Sequence, residues 1–393
     1  MPASSLTNKP DPGFGVYFHW PFCRKKCPYC DFNSHVRATL DEDLWIKGLT
    51  SELRYYAERS DSRRVTSIFF GGGTPSLMSP KAVGTLLDAV DDLFEMSDDV
   101  EISLEANPTS SEAESFSGYR LAGVNRLSMG VQSLQDKYLK FLGREHSASE
   151  ALETIELAKR HYDNISFDLI YALPDQTLLE WESDLLTAMD LAGDHLSLYQ
   201  LTIEPNTGFA GAYKRGEFQL PRDELAEDMY LLTQTLCGQR GLSAYEISNH
   251  ARAGYECRHN LTYWRYGSYL GVGPGAHGRL LEDGVRYATA QLKRPESWLR
   301  AVTEEGHGTE SMEPVGNAQE CAEEALLMGM RLSEGVWFEN LKQVAGIDFE
   351  AVVSKEGLER LLKAGFVEMD AHKIVASNNG RFVLNSVLAE LLG

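Results

Sequence analysis

Strand-like and helix-like stretches alternate through the first 200 residues, and that alternation limits the fold more than any other feature of the chain. The expected strands are GVYFHW (15–20), VTSIFF (65–70), VEISLE (100–105), VNRLSMGVQ (124–132), ISFDLIY (165–171) and HLSLYQL (195–201). Amphipathic stretches lie between them, among them 41–59, 80–94 and 177–192. Repeated βα units imply a parallel sheet with right-handed crossovers. Six units with no dinucleotide fingerprint after the first strand predict an α/β fold of the partial (βα)6 barrel type, not a doubly wound sheet. Side-chain parity refines this, because successive residues of a strand face opposite ways. Val100, Ile102 and Leu104 share one face while Glu101, Ser103 and Glu105 share the other. Leu127, Met129 and Val131 oppose Ser128, Gly130 and Gln132 in the same manner, and Phe167 and Leu169 oppose Ser166 and Asp168. The apolar faces are expected to meet helices and the small, polar faces to line the interior. Glu105, Gln132 and Asp168 then end three successive strands, where such barrels keep their sites. Solvated strand ends are the plainer alternative.

After residue 200 the pattern loosens. A helix-like stretch (222–239) leads to AYEIS (244–248), read as a strand, and to the glycine-rich GVGPGAHG (271–278). From about 317, short helices and a hairpin-like FVEMDAHKIVAS (366–377) suggest a small helical, winged-helix-like C-terminal domain. The division read from this is a disordered lead at 1–14, a barrel at 15–250, a linking region at 251–310 and a C-terminal domain at 311–393. The formal charge of −21 argues against a nucleic-acid partner, since binders of phosphate backbones carry a basic face. No apolar run approaches the ~20 residues of a membrane span, and the N-terminus lacks an apolar signal core.

Three of the six cysteines crowd into WPFCRKKCPYCDF, a C-x3-C-x2-C pattern at Cys23, Cys27 and Cys30. A disulfide framework would spread its pairs along a small secreted chain, so a tight cluster here points to a metal site in the reducing cytosol, a cytoplasmic setting. Thiolates are the usual ligands of iron–sulfur clusters. Three of them on a [4Fe–4S] cube leave one iron open to a small molecule. A zinc site completed by His19 or His35 is the alternative, since structural zinc takes four ligands. His19 itself reads as a support for the cluster loop or as a contact for a bound substrate.

This cysteine pattern after a first strand is identified as the signature of the radical S-adenosylmethionine superfamily. The superfamily resemblance implies that the cofactor's methionine amine and carboxylate chelate the open iron, and that one electron can cleave the sulfonium to give a 5′-deoxyadenosyl radical. The glycine turn in FFGGGTPS (69–76) takes the place of the turn that contacts the methionine amine. Across nearly its whole length the chain is similar to the subfamily that joins oxygen-independent coproporphyrinogen III oxidase to the HemW heme chaperones. VYFHWPFCRKKCPYCDF, FFGGGTPS, SLEANP, RLSMGVQS, LGREH, FDLIYALP, HLSLYQLTIEPNT and YEISNHARAGYECRHNLTYW carry the likeness. By position in these motifs, the implied contacts of S-adenosylmethionine are Tyr17, Tyr29, Gly72, Gly73, Thr74, Glu105, Gln132, Arg144 and Asp168.

Two features separate the branches. The oxidase pattern continues to a further cysteine, where this chain has Phe32. HNLTYW (259–264) resembles the heme-binding signature of the chaperones. The resemblance therefore implies a heme chaperone, binding heme together with the cluster and S-adenosylmethionine and passing heme to acceptor proteins such as respiratory enzymes. Oxygen-independent coproporphyrinogen III oxidase is the alternative, and only that reading makes the chain a true enzyme. His259 is the expected iron ligand, with Tyr263 and Trp264 against the porphyrin, and Cys257 is a second candidate. A hydrogen-bonded structural histidine is the competing reading of His259, and His250 and His277 read as structural. The implied partners leave room for transient membrane association during delivery and for a homodimer.

Overall fold

The computed structural model describes residues 9–37, 39–62 and 64–393. Strands β1 (Phe14–Trp20), β2 (Arg64–Gly72), β3 (Glu95–Ala106), β4 (Arg126–Gln132), β5 (Asn164–Tyr171) and β6 (His195–Gln200) lie side by side in chain order, each parallel to the next. Helices α1 (Glu42–Ala57), α2 (Pro80–Leu93), α3 (Phe116–Ala122), α4 (Ala148–Ala158) and α5 (Leu178–Leu191) make the return crossings. Their starts are written locally. Asp41, Ser79, Ser147 and Thr177 each accept a backbone N–H in the first helical turn, and Thr177 and Glu180 form a reciprocal capping box. The expected (βα)6 half-barrel is present.

The sheet has twelve strands and does not close. Outside β1 it continues with β7 (Ser268–Val272), parallel to β1, and then with antiparallel β8 (His277–Glu282), β9 (Val285–Gln291) and β10 (Thr309–Pro314). The segment 251–310, read as a linking region, thus supplies strands to the barrel's own sheet. Beyond β6 lie the short antiparallel strands Asn249–Ala251 and Ser243–Ala244. AYEIS is not one strand. The Glu246 carboxylate accepts from the N–H groups of Ser248 and Asn249 at 2.7 and 2.6 Å, which turns the chain where a strand would run on.

Parity holds through the barrel. Val16, Phe18, Ile68, Phe70, Ile102, Leu104, Leu127, Met129, Phe167 and Leu169 are buried under the helices. The other face is aromatic at β1 and β2 and small or polar beyond; cross-strand neighbours are Tyr17 with Phe69, Glu105 with Ser128, Ser128 with Ser166, and Asp168 with Ser197. The floor of the interior is plugged by α6 (Arg258–Trp264), whose backbone and side chains meet Ser67 and Glu101.

A second core gathers around helices α7 (Ala318–Gly329), 338–345, 355–364 and 384–392 and a three-stranded sheet of 336–337, 373–376 and 367–369. The expected hairpin is the 367–376 pair. This winged-helix-like unit docks on the barrel through Arg265 with Glu334 (2.7 Å), Arg279 with Glu324, and Arg381, which donates to the Glu246 carbonyl at 2.8 Å. The lead expected to be disordered over 1–14 lies outside the described residues at 1–8. Residues 9–13 have no regular structure but are tied down, since Lys9 pairs with Glu339 at 3.1 Å and Pro10 O accepts from Asn340 at 3.2 Å.

Candidate cofactor site

Cys23, Cys27 and Cys30 follow β1 in a loop that leaves the C-terminal end of the sheet, and all three line one cavity of about 190 Å³. Burial raises the thiols of Cys23 and Cys30, Cys23 being opposed by a hydrogen bond from the Thr74 hydroxyl at 3.5 Å. Thiols of this kind ionise when iron takes them. Arg144 stands on the Cys27 sulfur at 3.6 Å. Among the described residues no three His, Cys, Asp or Glu side chains converge on a point that would hold a single ion. The two histidines of the mononuclear zinc alternative are already engaged in hydrogen bonds. His19 Nε2 donates to Asn33 O at 2.9 Å, its Nδ1 accepts from the Tyr17 hydroxyl at 2.9 Å, and His35 Nε2 donates to Asn33 Oδ1 at 3.2 Å. His19 therefore takes its supporting role: it braces the cluster loop through Asn33.

The glycine turn is demanded by crowding. A Cβ on Gly71 would meet the Tyr17 ring at 2.8 Å, one on Gly72 the His19 ring at 2.6 Å, and one on Gly73 the Phe22 carbonyl oxygen at 2.7 Å. Gly72 also needs its φ of +112°. The turn can thus lie directly against the cluster loop, and Gly73 and Thr74 donate backbone hydrogen bonds to Trp20 and Phe22.

Eight of the nine positions implied for S-adenosylmethionine share the cavity with the cysteines: Tyr29, Gly72, Gly73, Thr74, Glu105, Gln132, Arg144 and Asp168. Burial, with the Asp168 charge behind it, pushes Glu105 up to about 8, although the Gly72 N–H donates to it at 3.2 Å. Burial pushes Asp168 up to about 6. Both carboxyl groups line the cavity, where a cationic ligand would favour their charged forms. A register shift in β4 and a positive φ of 70° at Gln132 swing that side chain toward the cavity. Arg144 donates to Asn107 Oδ1 and Gly130 O, each at 2.6 Å, while its buried Nε has no partner. Two buried carboxyl groups, a guanidinium N–H without a partner among the described residues and three thiols suit a zwitterionic, ribose-bearing ligand beside an iron–sulfur cube. Parity did not single out Asn107, although it lies in SLEANP two residues past Glu105. Its backbone and side-chain N–H groups are held by the Glu112 carboxylate at 2.7 and 3.1 Å.

Tyr17 is the exception. It lines a second, larger cavity of about 740 Å³ that shares Lys26, Cys30, Phe32, Ser34, Gly72 and Glu105 with the first. Phe32, which stands where the oxidase pattern has its further cysteine, is 58% exposed on the rim of both.

The HNLTYW stretch is α6, and its three expected heme residues do not form one open face. His259 is 1% exposed, stacked on Phe69 at 5.1 Å. Its Nδ1 is bonded to the Ser67 hydroxyl at 2.9 Å and its Nε2 to the Tyr263 hydroxyl, so neither nitrogen is open to an iron. Tyr263 lines the larger cavity, whereas Trp264 turns the other way, toward the C-terminal domain, under the Arg331 guanidinium at 4.7 Å. Cys257 is buried on Glu101 and pushed up to about 12, which rules out a ready thiolate. His250 is buried, with its Nε2 against the Gln234 amide at 3.2 Å.

Residues 17–188 match the radical SAM superfamily and residues 317–383 the HemN C-terminal domain. The heme chaperone HemW of Escherichia coli (strain K12) is 37% identical over 96% of this chain and 97% of its own. The mitochondrial radical S-adenosyl methionine domain-containing protein 1 of Mus musculus is 40% identical over 96% of this chain and 87% of its own. The solved coproporphyrinogen III oxidase HemN of Escherichia coli superposes with a TM-score of 0.80 over 97% of this chain and 90% of that one, at 23% identity, which supports a shared fold.

Proposed function

The chain belongs to the HemW-type branch of the radical S-adenosylmethionine superfamily, and from that premise we propose that it is a heme carrier, which binds heme beside a [4Fe–4S] cluster and S-adenosylmethionine and passes it to acceptor proteins such as respiratory enzymes. The observation that carries this reading is the pair of adjoining cavities, a small one lined by three thiols and a large one walled by the same cluster loop. When bound and reduced, a [4Fe–4S] cluster with S-adenosylmethionine at its open iron supplies one-electron cleavage of a sulfonium bond. In this reading the chain's own residues hold and orient. Cys23, Cys27 and Cys30 would hold three irons, Arg144 would meet the cofactor carboxylate, and Glu105 and Asp168 would bind its hydroxyls and amine. The Tyr17–His19–Asn33 relay fixes the loop between the two cavities. Cytoplasmic placement and brief membrane contact during delivery belong to the same proposal. No helix among the described residues is long and apolar enough to cross a membrane.

The second reading is oxygen-independent coproporphyrinogen III oxidase. Phe32 favours the carrier over it, because an aromatic ring replaces the added thiol of the oxidase pattern. Anaerobic reconstitution with iron and sulfide, followed by titration of heme and S-adenosylmethionine into the same sample, is expected to give saturable heme uptake on a cluster-loaded protein. Incubation with coproporphyrinogen, cofactor and reductant is expected to leave the propionates intact. Sustained formation of vinyl groups with release of carbon dioxide would replace the carrier reading with the oxidase.

A further inference from the structure

We propose that the heme seat is the cavity of about 740 Å³ beside the cluster, with His277 as the protein ligand to the heme iron and Lys293 and Lys26 as partners of the heme propionates. This rests on the carrier reading and assigns its site. The volume lies within the roughly 300–1,000 Å³ typical of ligand pockets. Three imidazoles line the cavity, those of His19, His35 and His277. Iron ligation needs a ring nitrogen with a free lone pair. His19 has both nitrogens engaged, and the His35 ring is tied to the Asn33 side chain through Nε2 and to the Lys293 backbone. His259, expected from the HNLTYW stretch, is sealed behind Tyr263 with both nitrogens bonded. His277, the first residue of β8, is exposed, and among the described residues nothing hydrogen-bonds its ring. Partial burial, then the neighbouring Lys293 and Arg279 charges, lower its imidazole from the ordinary value, with Glu310 opposing, which favours the neutral ring that metal ligation needs.

The rest of the lining suits a porphyrin. Tyr263 and Tyr269 meet edge to face with centroids 4.4 Å apart and form an aromatic wall. Phe32, more than half exposed, stands at the mouth. Lys26 and Lys293 supply two cations for two carboxylates in an otherwise acidic chain. The HNLTYW stretch then contributes indirectly: His259 holds the Tyr263 hydroxyl, and Tyr263 forms the wall.

The test is a hemin titration of the cluster-reconstituted full chain, followed by optical absorption and EPR, for the wild type, His277→Ala, His277→Gln and Lys293→Glu. Loss of imidazole ligation is expected to move the Soret band and the ferric g-values in both His277 variants and to weaken heme binding on the order of tenfold. Free imidazole is expected to restore the wild-type spectrum of His277→Ala. Lys293→Glu is expected to weaken binding with an unchanged ligand spectrum. Cluster absorbance is expected to stay intact throughout. Heme uptake with an unaltered spectrum and affinity in His277→Ala would overturn the site while leaving the carrier reading standing. A wild type that takes up no heme would sink both.

Discussion

At the scale of single residues, the site is a set of polar groups gathered around one cavity. Glu105 is the sharpest case. Its folded value of about 8 lies above the unfolded range, so between those limits the folded chain keeps a proton that the unfolded chain has released. Stability of the cluster-free protein should therefore fall as pH rises from about 4.5 to about 8, and Glu105→Gln should flatten that fall. Asp168, with its value of about 6, leaves a smaller slope that ends earlier. Urea midpoints across this range are the check, and parallel profiles for the two proteins would refute the assignment. His259 makes a different point. Removing a buried ring that stacks on Phe69 and bonds Ser67 and Tyr263 should cost about 2–5 kcal/mol. His259→Ala should accordingly unfold at lower urea, yet any heme it binds should keep the wild-type ligand spectrum. A changed ligand field would return His259 to the iron.

At the scale of elements, the informative contact is the clasp between the cluster loop and the far edge of the sheet. Asn33 Nδ2 donates to Pro274 O and Lys293 O, each at 2.8 Å. Gly275 has a φ of +79°, and a Cβ there would sit 2.4 Å from Asn33 Nδ2. The loop that ends the cysteine motif is thus latched to the turns on either side of β8 and β9, which carry His277 and Lys293. Asn33→Ala should remove about 1–3 kcal/mol of hydrogen bonding and loosen the loop. Hydrogen exchange over 27–36 should rise, and cluster reconstitution should give a lower yield. Unchanged exchange would mean that the loop is held by its own packing.

At the scale of the whole molecule, an open sheet carries one functional end, and the C-terminal domain braces the other. Glu246, 1% exposed, receives three N–H donors from Ser248 and Asn249 and faces Arg331 at 3.8 Å, while Arg381 donates to its carbonyl. Tyr266 and Ile247 belong to the barrel chain but pack into the second core. Arg381→Ala combined with Arg331→Ala should loosen the docking, seen as faster limited proteolysis near 315–318, while the cluster, held at the opposite end of the strands, reconstitutes normally. Loss of the cluster in that variant would show that the two ends are coupled.

Much of this was legible in the chain itself because it depends on local rules. Period-two alternation placed Glu105, Gln132 and Asp168 at strand ends, and amphipathic stretches placed the helices between the strands. The spacing of Cys23, Cys27 and Cys30 put three thiols on one loop. The sequence had no means of fixing contacts made across hundreds of residues. It could not show that 268–291 would extend the barrel's sheet, that Asn33 would clasp residue 274, or that Tyr17 would open on a second cavity. Nor could it show which histidine is free. His259 stands in the more suggestive stretch, but packing against Ser67 and Phe69 closes its nitrogens, whereas His277, at the start of β8, keeps its ring exposed. Local pattern determined which groups exist and which way each strand presents them; tertiary burial alone decided which of them remain unpartnered, because only the packed chain settles whose hydrogen bonds are already made.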